Sequence, residues 1–394
     1  MPVTSRARRG VVVAAVAVIA LAGLTACTAS TPDDASAVVV PSSLWDSTAV
    51  HSISLDIAPA DSDAIIAAYL ADGTTEWARA SVTVDGTSLD DVGVAIAGAP
   101  ALDPDATETD LAGLPWLIRF DEFVDGQNIE GETELRLSGN KSSTALNESL
   151  SLELLAIAGL ATESSVPTSF TVNGGSPRLR LVVQQLDQEW VADQFDAGDL
   201  VYAAQPGGDF SYRGDDAVAY DGSFDQVAGA DDPAPLARFL KFVENSSDTA
   251  FATQLQTYLD VDAFAVYLAF EDVVREGDGP QSSTALEYSD TTKLMTVIPW
   301  ELSASFSTTG SEVTAAGAIP SALTARFLAA PEFAEVYEQA VLDANSLLFE
   351  TGTAESILAD QTAVLTEQAS GLVSTKEIRA ASKALKEKLD ARTP

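Results

Sequence analysis

The sequence is short of the side chains on which much enzyme chemistry depends. It has one cysteine, one histidine and two methionines in 394 residues. A lone cysteine, Cys27, excludes an intrachain disulfide and, placed in the first tenth of the chain, leaves no thiol for catalysis in the body of the protein. A lone histidine, His51, excludes histidine-based triads and multi-histidine metal centres. There is no Gly-x-x-x-x-Gly-Lys-[Ser/Thr] loop and no Gly-x-Ser-x-Gly elbow. Carboxylate chemistry remains, either as general base or through a hard cation such as magnesium.

Positive charge is also scarce. Twenty-one lysines and arginines face 59 aspartates and glutamates, a net charge of −38. Such a field repels nucleic acid and anionic surfaces, so no nucleic-acid partner is expected. The first 27 residues run against the trend, with Arg6, Arg8 and Arg9 and no acid, then the apolar run Val11 to Leu24 and the sequence Leu24-Thr25-Ala26-Cys27. A positive start, a short apolar stretch and small residues before a cysteine predict an export signal over residues 1–27. Cleavage would leave Cys27 first, with its thiol available for lipidation and attachment to the outer side of a membrane. Removing the three leader arginines leaves 18 cations against 59 acids, a net of −41. Residues 28–44, rich in Ser, Thr, Pro, Asp and Ala, read as a flexible tether, and residues 45–390 as one folded unit.

Periodicity predicts an α+β protein. Alternation at Ile53, Leu55 and Ile57 gives a strand, and a short helix follows through Ile65, Ile66 and Tyr69. Further strands are expected at residues 77–84, 92–96, 116–121 and 132–137. A helix capped by Ser142 or Ser143 should carry Leu146, Leu150, Leu154 and Ile157, and a hairpin should turn at Asn173-Gly174. Residues 205–232, with seven aspartates and many glycines, read as a long surface loop, since no stretch has the alternating acid spacing of a calcium loop. From Pro233 the pattern is mainly helical, over 236–243, 251–259, 261–274, 322–349, 354–372 and 376–392, with two short strands at 284–288 and 293–299.

Four segments, in order, resemble the spore coat protein H (CotH) kinase family: Leu114 to Phe123 (Leu-Pro-Trp-Leu-Ile-Arg-Phe-Asp-Glu-Phe), Phe170 to Asp187, Phe264 to Tyr288 with Gly277-Asp278-Gly279, and Ile298-Pro299-Trp300-Glu301-Leu302-Ser303-Ala304-Ser305-Phe306. The resemblance implies a diverged protein-kinase-like fold, with a β-rich amino-terminal half and a mainly helical carboxy-terminal half. It also implies ATP and magnesium as cofactors if the chain is active, and an exported protein as substrate or partner. Transferred residue by residue, Asp278 matches the catalytic aspartate, Glu301 and Thr284 stand at metal-binding positions, and Arg119 is a basic residue that could face phosphate, with Glu148 as its candidate partner. Asp278 could equally be a turn residue, and Arg119 could equally pair with Asp121 or Glu122. The departures from the family pattern are specific. Ala97-Gly98-Ala99-Pro100 replaces Arg-Gly-Asn-Ser, Ser283-Thr284 replaces His-Asn, Gln184 replaces a glutamate, Glu301 is one methylene longer than aspartate, and Ser303 replaces a second acid. These favour a lipid-anchored, degenerate kinase-like binding or scaffold module over an active Ser/Thr kinase. A solute-binding lipoprotein is a third reading, which the leader and size fit but the four segments do not.

Overall fold

The computed structural model describes residues 41–72, 76–97, 110–139, 142–204, 211–220, 222–274, 284–300, 302–306 and 321–391. The leader, Cys27 and most of the tether lie outside them.

Seven strands close a barrel: β1 (His51–Ile57), β2 (Ala78–Val84), β3 (Thr87–Ile96), β4 (Trp116–Arg119), β5 (Glu134–Leu137), β6 (Ser165–Val172) and β7 (Arg178–Gln184). Their order around it is β1-β2-β3-β4-β5-β7-β6. All pairings are antiparallel except the closing one, where β6 runs parallel to β1 with His51 opposite Thr168. Alternation fills the interior with one apolar set, including Leu55, Val94, Trp116, Ile118, Leu135 and Phe170. Helix α1 (Pro59–Asp72) adds Ile65 to that core. The turn at Asn173-Gly174 forms as its sequence predicts, with both residues at positive φ.

A second sheet has the order β11-β10-β8-β9, formed by β8 (Leu200–Ala204), β9 (Phe224–Ala228), β10 (Thr284–Tyr288) and β11 (Met295–Pro299). One face carries Leu200, Tyr202, Leu286 and Val297 into a large core shared with α2 (Leu146–Ile157), α4 (Ala234–Asn245), α6 (Val261–Val274) and the carboxy-terminal helices. The other face carries Val201, Ala203, Ala285 and Ile298 against Trp190 and Val191 of α3 (Gln188–Gln194). Asp187 caps α3 by accepting from the Trp190 amide at 2.9 Å.

Three sequence expectations are corrected. Residues 205–232 contain β9, which pairs with β8, so this stretch is not wholly loop. The helix expected over 322–349 is two, α7 (Ser321–Ala329) and α8 (Pro331–Asn345). Pro331 lacks an amide proton, so it starts a helix rather than continuing one. Helix α2 starts from Ala145 in a left-handed conformation, and Ser142 Oγ accepts from the Ala145 amide instead of capping the helix itself. Between α4 and α6 lies α5 (Asp248–Gln254). The chain ends in α9 (Thr353–Gln368) and α10 (Thr375–Asp390), the latter started by a reciprocal Ser374–Glu377 capping box. Gln368 ties α9 to the start of the barrel, accepting from the Val50 amide and donating to the Thr48 carbonyl.

Candidate functional site

The strand pair β4–β5 sets Arg119 directly opposite Glu134. The guanidinium lies 2.9 Å from Glu134, 3.5 Å from Glu122 and 3.9 Å from Asp121, and rests over the Trp77 ring. Gly93 of β3 is the other neighbour of Arg119 across the sheet. A Cβ at Gly93 would come within 2.5 Å of Glu122, so this glycine makes room for the acid that reaches Arg119.

Glu134 is buried, and desolvation pushes its carboxyl up to about 7. Arg119 opposes that rise, while Asp187 and Asp121 add to it. Burial likewise raises Asp187 to about 6, with Glu189 and Glu132 adding to the effect. Glu132 accepts from Trp45 Nε1 at 3.0 Å and from Gln184 Nε2 at 2.9 Å. The Gln184 departure now has a physical reason, because a glutamate there would bring a second carboxylate against Glu132 where the amide donates instead.

The other end of β5 holds a separate group. Ser138 Oγ donates to the buried Glu148, and Arg180 donates to the backbone carbonyls of Ser138 and, at 2.7 Å, Ala112. Burial lowers Arg180 to about 10, against the pull of Asp110 and Glu148. Glu134 and Ser138 are four residues apart on an extended strand, about 13 Å. The pair expected between Arg119 and Glu148 is therefore not formed, because β5 holds its two members at opposite ends. An ion pair that sequence reasoning missed lies between them. Arg136 Nη2 donates to Glu163 Oε1 at 3.1 Å, with both side chains almost fully buried.

Thr284 is buried at the start of β10, opposite Pro299 at the end of β11. Asn147, in the first turn of α2, donates to the carbonyls of Ser303 at 2.7 Å and Ser305 at 3.3 Å. The Phe306 amide donates to the carbonyl of Val274, the last residue of α6, at 3.3 Å. The start of α2, the end of α6, the start of β10 and the residues after Trp300 thus meet at one junction. Asp278 and Glu301 both lie outside the described residues. Among the described residues no group of three or more His, Cys, Asp or Glu could hold a metal. Thr284 and Ser305 bring buried hydroxyls to the junction, and hydroxyls alone do not complete an octahedral magnesium site.

The family model described as CotH kinase protein matches residues 109–388, well over half the chain. The chain belongs to the CotH kinase protein family. The matched span takes in β4 to β11, α2 to α9 and most of α10, so the described residues of the junction lie within the matched region. No curated protein matches the chain. Among solved structures, the proinflammatory kinase CtkA of Helicobacter pylori aligns at 8% identity and a TM-score of 0.32, covering 66% of this chain and 89% of that one. HipA from a toxin–antitoxin complex of Shewanella oneidensis MR-1, with HipB and operator DNA, aligns at 13% identity and a TM-score of 0.35, covering 66% and 57%. Likeness this slight transfers no role.

Proposed function

We propose that this member of the CotH kinase family is an extracytoplasmic protein, held to a membrane through lipid on Cys27, that keeps the family fold as a binding or scaffold module without phosphoryl transfer. The observation that carries this reading is the engagement of Arg119. A cation that neutralises transferring phosphate must be available to it. Arg119 already faces Glu134, Glu122 and Asp121 within 4 Å, so a polyphosphate approaching it would meet carboxylate charge. The lost cation at Ala97, the hydroxyl at Thr284 and the longer Glu301 point the same way. Its partner would be another exported protein.

A ligand that binds only the folded state raises stability by about 2.7 kcal/mol at a hundredfold excess over Kd. The expected result with millimolar Mg-ATP is a small melting shift or none, and no transfer of phosphate to protein. Replacing Glu301→Asp and Thr284→Asn together should recover some magnesium-dependent binding. Robust phosphorylation by the unchanged protein, lost in Asp278→Asn, would overturn the proposal.

A second reading has its own support. Arg136, on the strand next to β4, forms a buried ion pair with Glu163, which precedes β6, and a basic–acidic pair of this kind positions phosphate in phosphotransferases. If it serves an active kinase, Mg-ATP binding will survive Arg119→Met and fail in a folded Arg136→Lys variant.

For attachment, Cys27→Ser should move the protein from the membrane fraction to the soluble fraction or medium, because two acyl chains hold a protein where one binds marginally. Unchanged sedimentation with membranes would rule out the lipid as anchor.

A further inference from the structure

A second polar site lies at the far end of β10 from Thr284, at Tyr288. Tyr288, the last residue of β10, forms the floor of a cleft of about 500 Å³ between the first turns of α4 and the turn that follows β10. Three cations converge on it. Arg238 donates from Nη2 to the Tyr288 hydroxyl at 3.1 Å, and its guanidinium lies 5.5 Å from the centre of that ring. Lys293 Nζ lies 5.9 Å from the same ring centre. Lys241 is one helical turn beyond Arg238 on the same face of α4. Asp215, Asp232 and Asp290 line the same cleft, so its cations and acids are equal in number.

Their pairing is uneven. Lys241 lies 2.9 Å from Asp215, and Lys293 pairs with Asp290. All four of these side chains are at least half exposed, and exposed pairs of this kind are worth about 0–1 kcal/mol, so an incoming anion can displace the aspartates cheaply. Arg238 makes no ion pair with a described carboxylate and is oriented by Tyr288, with its charge near that of Lys293. The first turn of α4 lines the same cleft, where Asp232 accepts from the Ala234 amide at 3.0 Å and offsets the partial positive charge of the helix start. Once the lysines release Asp215 and Asp290, a single carboxylate would leave donors of the three cations unpaired. A dianion with several acceptor oxygens would not, and a planar guanidinium suits two of those oxygens at once.

We propose that this cleft binds a phosphomonoester, with Arg238 as the oriented anchor and Lys241 and Lys293 as cations that exchange their aspartates for the ligand. The site is separate from the junction that holds Thr284. It stands whether or not the chain transfers phosphate.

The probes are a phosphoserine peptide, its unphosphorylated twin and inorganic phosphate, titrated calorimetrically into the full-length chain in detergent. The phosphopeptide and phosphate should bind and the unphosphorylated peptide should not. Binding should weaken at least tenfold in Arg238→Gln and in Lys293→Ala, both checked for an unchanged melting curve. It should tighten severalfold in Asp215→Asn and Asp290→Asn, which free the two lysines, and stay unchanged in Lys383→Ala on α10. A phosphopeptide at least tenfold tighter than free phosphate identifies the source as polypeptide, and equal affinity identifies free phosphate. Equal binding of both peptides, indifference to Arg238→Gln, or no tightening on loss of the aspartates would each overturn the proposal.

Discussion

Replacing Arg136 with methionine should destabilise the protein by about 3–5 kcal/mol in urea unfolding, the range for removing one member of a buried ion pair. The remaining carboxylate, Glu163, is 1% exposed and would lose the cation 3.1 Å away. Replacing Glu163 with glutamine in the same background should recover part of that loss, because an amide has no charge to solvate. Arg119→Met is the informative contrast. That guanidinium is 42% exposed, and its nearest partner, Glu134, already has its carboxyl at about 7 and so can take up a proton when the cation goes. The expected cost is about 1 kcal/mol or less at pH 6, growing as the pH rises past 7. Equal losses for the two arginines would show that burial does not set their difference.

The second large effect is on pH. Glu287 is buried on β10, where desolvation, with Asp199 and Asp260 nearby, pushes its carboxyl from 4.5 up to about 8 against the pull of a Thr296 hydrogen bond. In the unfolded chain this group loses its proton near pH 4.5, whereas in the folded protein it keeps it to about 8. Between those values the unfolded state binds fewer protons, so stability is greatest below about pH 4.5 for this group and falls until about pH 8. Glu134 and Asp187, raised to about 7 and about 6, act in the same direction over narrower windows. Asp46 acts in the opposite one, since hydrogen bonds from Thr48 and Ser42 hold its carboxyl well below the usual range, a contribution lost in strong acid. The melting temperature should therefore peak in mild acid and decline through neutrality to about pH 8. Glu287→Gln, whose amide can donate to Asp199 at any pH, should flatten that decline and exceed the unchanged protein by about 2–4 kcal/mol at pH 9. A melting temperature that climbs from pH 5 to pH 9 would contradict the assignment.

What the sequence made legible was local. Asn173-Gly174 announces its hairpin because only a few residue types tolerate those dihedral angles, and Leu146, Leu150 and Leu154 announce α2 because their spacing holds wherever the helix packs. What it hid was long-range. Nothing near His51 or Thr168 says that β1 and β6 lie side by side in parallel. Strand β8 is a short apolar run buried on both faces, with no period to betray it, and β9 lies within a stretch whose glycines and aspartates read as loop. The two arginines teach the same lesson. Arg119 and Arg136 both sit on short strands among apolar residues, yet one reaches solvent and the other reaches a glutamate 27 positions away. The family motif drew attention to Arg119, and only the three-dimensional pairing reveals the ion pair of Arg136 with Glu163. Of the candidate site, Thr284 and Glu148 were placed on the right elements, but the pairing of Glu148 was not readable, because the register that sets Arg119 opposite Glu134 is visible only once β4 and β5 are aligned.

Barrel closure also governs how this protein can stick to itself. A closed ring of strands offers no free rim of amide and carbonyl groups on which a neighbouring chain could add a strand. The open sheet does have rims, but on β11 Met295 exchanges backbone hydrogen bonds with Tyr258 and Asp260, which covers the start of that side, and Pro299 at its end has no amide proton to offer. Among the described strands, the outer side of β9 is the less covered rim, five residues long and bearing Asp225. Templated strand addition between copies would have to begin there, on a short rim carrying the same charge as the rest of the molecule, so crowding should favour solubility over fibre growth.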